Sequence, residues 1–404
     1  MKNNFAILEI TNTNVRLIIG GLVDRDPAVI HVEEKPIAGL ISRGEILNEE
    51  VLTETIATLK TATDENLHAR INISDVTLVL PPLGLEIYEA EKTTNVVSPT
   101  SVIEHIDIQN VISLVSKEDV DISKEIIDIV PDYFILNGTE MVGEPPIGKV
   151  SDTLTVHAKV HILPRHVTET YRRIVENSGI RVTRLCVAPY ASTQYIKLLP
   201  NMPKNYLLLD MGANITNITL VGNDSPFFTT NAMVGGNDLS LNIANEFGID
   251  EEKATEIKEL YGYTERDLKF KPEIHTQYHE DGTKQSFYPT DLNRIILSFL
   301  KDEYFSQIDV AVTTLLKGFN ESVLKIPLVV VGGFSRLNGI QKLLKEHFTN
   351  PEKIIFANSN VLGIRQPHYF PLIGGLITTA TYRGALTDQR NKTKIERINR
   401  NENK

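Results

Sequence analysis

The sequence predicts an α/β protein built as two similar lobes around a cleft. Three observations lead there. Strand-like apolar runs alternate with amphipathic helical runs along most of the chain. A strand–acid–turn–strand unit occurs once in each half, FAILEITNTNVRL over residues 5–17 and LLLDMGANITNITL over 207–220. Two glycine pairs, Gly235–Gly236 and Gly332–Gly333, each precede a helical stretch.

In chain order, the strand-like runs are Phe5–Leu8, Val76–Leu80, Thr153–Leu163, Tyr206–Leu209, Ile215–Val221 and Leu328–Val331. Helical spacing covers Glu49–Thr63, His166–Ser178, Asp238–Phe247, Asp291–Gly318 and Gly339–Phe348. The segment 117–130 (KEDVDISKEIIDIV) reads as helix plus strand. Tyr261, Tyr263, Phe270, Tyr278 and Phe287 punctuate a polar region and read as a small separate core. Residues 387–404 hold six basic and three acidic residues with only Ile395 and Ile398 as large apolar ones, so a solvated polar tail is expected there. It lacks the apolar face of a membrane-surface helix.

Composition excludes several classes. At 404 residues the chain has room for two to four domains. A net charge of −11 argues against non-specific nucleic-acid binding, which needs a basic footprint. The single cysteine, Cys186, rules out an internal disulfide and a four-thiolate zinc site. The longest apolar stretch, Phe370–Tyr382, is 13 residues with two glycines, short of a membrane span. Glu9 interrupts the N-terminal apolar run and argues against a signal peptide, so a cytosolic location is expected.

The two acid-plus-turn hairpins are the place for chemistry. Aligned N–H groups of a tight turn make an anion-binding concavity, as a nucleotide's phosphates require. The second turn has Gly212, then Ala213 and Asn214. The first has Thr11, Asn12, Thr13 and Asn14, with side chains where a phosphate would want bare backbone. Glu9 and Asp210 would face each other across the cleft, either holding magnesium through water and orienting a water, or simply satisfying turn N–H groups. Strand–Gly332–Gly333–helix suits close approach to an adenosine, and equally suits tight helix–strand packing. The helix after Gly235–Gly236 presents its N-terminus to an anion. His157 and His161, four apart in VHAKVHIL, share one strand face, where a solvated face outweighs a metal site.

This order of motifs resembles the actin, heat-shock chaperone and sugar-kinase superfamily, and within it FtsA, the bacterial actin-like cell-division family, over roughly residues 5–385. The segments SRGEI (42–46), VHAKVHILPRHVTETYRRIVENSGIRVTRLCVAPYAS and VLGIRQPHYFPLIGGL carry that narrower resemblance. The resemblance implies an actin-like two-lobed fold of duplicated ribonuclease-H-like domains. The first lobe would be 1–82 with 161–200, around an inserted subdomain at 83–160. The second would be 201–236 with 291–386, around a small subdomain at 237–290. It implies ATP with magnesium, held by Glu9, Thr11, Asn12, Asp210, Gly212, Ala213, Asn214, Gly235, Gly236, Lys258, Gly332 and Gly333, with Lys258 near the ribose.

Several positions depart from the family pattern. Glu9 stands for Asp, Thr11 for Gly, Asn217 for Asp and Thr255 for Glu, Ala213, Asn214 and Ile215 replace the usual Gly-Gly-Thr type turn, and Phe334 follows the glycine pair in place of a third glycine. The expected cleft is therefore degenerate, with at most weak ATPase activity. The family role implies a scaffold linking the C-terminal tail of FtsZ, the tubulin-like ring protein, to the membrane machinery at the division septum. It implies self-association into filaments, and contacts with later division proteins through the inserted subdomain. Phe299 falls where an FtsZ-contacting arginine is common, leaving Arg294 and Lys301 as the nearest cations. With no amphipathic helix in the tail, membrane contact is expected to be indirect or weak. Rival readings are a PilM-type pilus-assembly adaptor and a sugar-kinase-type phosphotransferase.

Overall fold

The computed structural model describes residues 4–66, 73–117, 119–264, 272–278, 283–319, 325–349 and 351–381. The polar tail and Phe270 lie outside the described residues.

Each strand-like run becomes a strand because its alternate residues are needed on two buried sheet faces. The first five-stranded sheet has the order Arg181–Val187, Asp75–Leu80, Phe5–Ile10, Asn14–Val23, Asp26–Pro36. The second has the order Ile354–Phe356, Leu328–Val331, Tyr206–Met211, Thr216–Gly222, Ser225–Ala232. In both, three antiparallel strands joined by hairpins are followed by two parallel ones. The hairpin registers match as well. Glu9 pairs opposite Arg16, and Asp210 opposite Asn217. The internal similarity in sequence is thus a duplication of topology.

The two lobes carry their extra pieces at different connections. In the first lobe a four-stranded sheet, Glu86–Asn95, Thr153–Pro164, Lys124–Leu136 and Glu140–Val142, is inserted after the parallel strand Asp75–Leu80. The helix His105–Val115 covers one face through Val111 and Val115. The strand Thr153–Pro164 continues past Val160, and its Leu163 packs in the first-lobe core. In the second lobe the helices Gly236–Phe247 and Glu251–Tyr261 and a hairpin, His275–Tyr278 with Lys284–Phe287, follow the third antiparallel strand. Phe247 and Phe287 stack at 4.2 Å and join this piece to the second-lobe core.

Four expectations are corrected. The helical run Asp291–Gly318 is three elements, Pro289–Ser298, a π-helical stretch Phe299–Tyr304, and Phe305–Leu315. Phe299, Leu300, Tyr304 and Phe305 are all buried, a run too wide for one α-helical stripe, and the wider turn brings all four inward. Phe299 is therefore core, not partner surface. Residues 119–123 form a loop and turn instead of a helix, closed by Asp121 accepting from the N–H and Oγ of Ser123.

The strand face of His157 and His161 is not solvated. His157 stacks on Tyr133 at 4.6 Å, and His161 is fully buried against Tyr190. Tyr133 of the same sheet covers His157 and Tyr190 of the first lobe covers His161, while between them Lys159 Nζ meets the second lobe, 3.5 Å from the centre of the Phe227 ring. Of the aromatic set, Phe287 is buried and Tyr261 and Tyr263 pack partly on the core, but Tyr278 is exposed.

One apolar cluster joins the lobes. It contains Ile7, Ile18 and Val79 from the first sheet, Tyr206, Leu208, Val329 and Val331 from the second, and Phe370, Ile373 and Leu376 from the final helix, residues 370–381. Among the described residues no helix is long and apolar enough to cross a membrane.

Candidate functional site

The facing ends of the two sheets enclose a cleft of about 460 Å³. Glu9, Thr11, Asn12, Asp210, Gly212, Ala213, Gly236, Lys258, Gly332 and Gly333 line it, ten of the twelve residues expected there. Asn214 and Gly235 lie just behind. The Asn214 Oδ1 accepts from Asn237 Nδ2 at 3.1 Å, and Gly235 packs on the Gly212 and Ala213 carbonyls. Arg294 and Lys301 are remote, on the exposed side of their helix, where Arg294 pairs with Glu246 at 3.1 Å.

The parallel ends of the sheets explain the convergence, because loops at the carboxyl ends of neighbouring parallel strands open onto one crevice. Glycine is required at two of these positions. Gly332 has φ +89°, and a Cβ there would lie 2.5 Å from Asp210 Oδ1. A Cβ on Gly235 would lie 2.5 Å from the Ala213 carbonyl. The cradle thus depends on backbone approaching backbone, which no larger residue allows.

Glu9 is buried and Asp210 half-buried, and the Asp210 charge works against that of Glu9. Burial pushes Glu9 up to about 7, with Arg16 opposing and Asp210 adding to the rise. Burial likewise pushes Asp210 up to about 6, opposed by its hydrogen bond with Asn217. Arg16 Nη1 stands 3.6 Å from Glu9 Oε2, and Arg16 Nε donates to Glu34 Oε1 at 2.8 Å. Tyr369 donates its hydroxyl to Glu34 Oε2 at 2.9 Å. Burial alone would raise Glu34, but Arg16 and Tyr369 outweigh it and hold its carboxyl below the usual range. His368 lines the same wall, held down to about 4 by burial with Arg16 adding to the effect.

Sequence reasoning missed Arg16, Glu34, Arg336 and His368, all of which line the cleft. Arg16 was readable, since it lies directly opposite Glu9 in a hairpin whose register the turn sets. His368 and Glu34 come from segments far apart in sequence, and nothing local marks them.

The two turns differ in their N–H groups. In the first, Thr11 Oγ1 accepts from the N–H groups of Thr13 at 3.3 Å and Asn14 at 3.0 Å, and donates to the Asn14 carbonyl. In the second, Gly212 N–H donates to the Ile215 carbonyl at 3.1 Å. Among the described residues no acceptor faces the N–H groups of Asn214 and Ile215. The Asn12 Oδ1 accepts from Gly44 N at 2.9 Å along the cleft wall. Lys258 is buried with its Nζ donating to the Gly236 carbonyl and Ser240 Oγ, both at 2.8 Å. Burial brings it down to about 8. Thr255 donates to the same Ser240.

These residues fit a nucleotide on the second-lobe side. Two N–H groups await an acceptor there, the glycine cradle admits close approach, and Glu9 Oε2 is buried without a hydrogen-bond partner. Among the described residues no three His, Cys, Asp or Glu gather into a metal site.

The comparisons fit this geometry. The description "Cell division protein FtsA" belongs to the family model that matches residues 207–374. The FtsA of Streptococcus pneumoniae is 22% identical over 95% of this chain and 81% of its own length. That of Enterococcus hirae is 25% identical over 91% of this chain and 80% of its own, and that of Bacillus subtilis 24% over 93% and 83%. The chain is similar to FtsA proteins over more than nine-tenths of its length, and the family model matches its second lobe.

Among solved structures, a PilM–PilN type IV pilus biogenesis complex aligns with TM-score 0.58 at 18% identity, over 93% of this chain and 98% of that one. MreB5 of Spiroplasma citri bound to ADP aligns with TM-score 0.57 at 11% identity, over 95% and 98%. The fold is actin-like, as the motif order implied. The departures from the FtsA pattern line both sides of the cleft, Glu9 and Thr11 on the first lobe and Ala213, Ile215, Asn217, Thr255 and Phe334 on the second. The matched span 207–374 covers the whole second-lobe cradle.

Proposed function

We propose that this FtsA-like chain is a cell-division scaffold acting at the inner face of the membrane at the septum. The carrying observation is its likeness to FtsA proteins over more than nine-tenths of the chain, inserted sheet included. It would link FtsZ filaments to the division machinery, with its inserted sheet free for self-association and for later division proteins. The cleft would hold a nucleotide as a conformational ligand, the bound phosphates and water keeping magnesium near Glu9 and Asp210. The Asn214 and Ile215 N–H groups would hold the phosphates. The boundaries 83–160 and 237–290 serve as working limits for the attached pieces.

Titration of an FtsZ C-terminal tail peptide into the full chain tests the scaffold reading. Saturable binding, weakened at least several-fold by Arg294→Glu with Lys301→Glu, is the expected result. The likeness to PilM favours a second reading, a pilus-assembly adaptor. Binding of a PilN-type partner, with none of the FtsZ tail, would select it.

A further inference from the structure

The two hairpin turns at the cleft are the same turn built with and without a hydroxyl. Thr11 and Gly212 occupy equivalent positions, each two residues past a strand-end acid, and each N–H donates to the carbonyl three residues on. In the second turn the N–H groups of Asn214 and Ile215 point at no acceptor among the described residues. In the first the equivalent groups, of Thr13 and Asn14, are both taken by Thr11 Oγ1. Two convergent N–H groups on one oxygen are what an anion receives in such a turn. The acids differ in their neighbours. Asp210 is hydrogen-bonded to the neutral Asn217 opposite it, whereas Glu9 has the cation Arg16 at 3.6 Å and an Oε2 without a hydrogen-bond partner. First-lobe turn donors are therefore satisfied from within, and second-lobe turn donors are not.

We propose that the Thr11 hydroxyl is a resident occupant of the first turn's anion position, so that the cleft holds a nucleotide's phosphates on the second turn alone and does not distinguish a nucleoside triphosphate from the diphosphate. The inference rests on the nucleotide reading of the cleft and adds its specificity. A triphosphate carries one more anionic group than a diphosphate, and selectivity for it needs a further set of donors. Here the candidate donors on the facing lobe are already occupied. Displacing Thr11 Oγ1 would exchange one accepted pair of hydrogen bonds for another and strand the hydroxyl, leaving little net gain.

The test is calorimetric titration of the full chain with Mg-ATP and with Mg-ADP, for the wild type, Thr11→Gly, Thr11→Ala and Thr11→Ser. The wild type is expected to bind both nucleotides within about threefold of each other. Thr11→Gly and Thr11→Ala free the two N–H groups and raise the preference for ATP about tenfold or more, with ADP affinity little changed. Thr11→Ser keeps the hydroxyl and the wild-type ratio. Two removing variants guard against one failing to fold, which thermal unfolding reports. A wild type that already prefers ATP tenfold overturns the inference and leaves the nucleotide reading standing. So does an unchanged ratio in both removing variants. Absence of binding by every form removes the nucleotide reading itself, and the inference with it.

Discussion

The Ala191 carbonyl oxygen lies 1.6 Å from where a Cβ on Gly374 would stand. The helix Ala188–Ile196 and the final helix, residues 370–381, thus cross with backbone touching backbone. The neighbouring Gly375 lets Ile7 and Val79 of the first sheet reach the same helix. This crossing sits inside the apolar cluster shared by both lobes, so it forms the joint between them.

Gly374→Ala is accordingly expected to destabilise the chain by about 2–3 kcal/mol or more, the upper range for overpacking, because helix backbone cannot yield as a side chain does. Urea unfolding checks it through a lowered midpoint at unchanged slope. A midpoint within error of the wild type would show that the two helices are free to part.

Glu9 and Asp210 give the stability a falling dependence on pH. Both titrate higher folded than unfolded, so between about pH 4.5 and 7 the folded state holds more protons and stability declines as pH rises. Glu9→Gln replaces the costly charge with a neutral group of the same shape. It is expected to raise stability at pH 8 by about 1–3 kcal/mol and to flatten the decline. Urea midpoints at pH 5, 6, 7 and 8 decide the matter, and a variant less stable than wild type at pH 8 would contradict it.

His161 pulls the other way. Burial holds it down to about 3, and neither ring nitrogen has a hydrogen-bond partner. The unfolded chain protonates it near the ordinary histidine value, so its contribution is lost as pH falls from about 6.5 towards 3. His161→Leu should leave stability at pH 7.5 within about 1 kcal/mol and reduce the loss at pH 5. Equal acid sensitivity in the variant and the wild type would place that sensitivity elsewhere.

Lys159 and Phe227 couple the inserted sheet to the second lobe. The ammonium is buried without a hydrogen-bond partner and rests on the ring face. A double-mutant cycle with Lys159→Met and Phe227→Leu is expected to give a coupling of about 1–2 kcal/mol, the range for a desolvated cation–π contact. Strict additivity would reduce the contact to ordinary packing.

By itself the sequence determined the elements and their pairing into two lobes. FAILEITNTNVRL and LLLDMGANITNITL are local signals, an apolar run ended by an acid and a polar turn, and hairpin register follows from such signals. Nine cleft residues were legible for the same reason, as each sits at a strand end, in the turn that follows, or at the start of a helix, whereas Lys258, in the last turn of its helix, came from the family resemblance. Only the tertiary structure decided the rest. Glu34 and His368 reach the cleft from distant segments, and the burial of Phe299, His157 and His161 depends on which surface packs against them. Whether the first turn stays open to an anion rested on one rotamer of Thr11, whose hydroxyl found its partners within three residues. Sequence patterns report periodicity along the chain, whereas burial, desolvation and hydrogen-bond occupancy depend on neighbours that the chain meets only when folded.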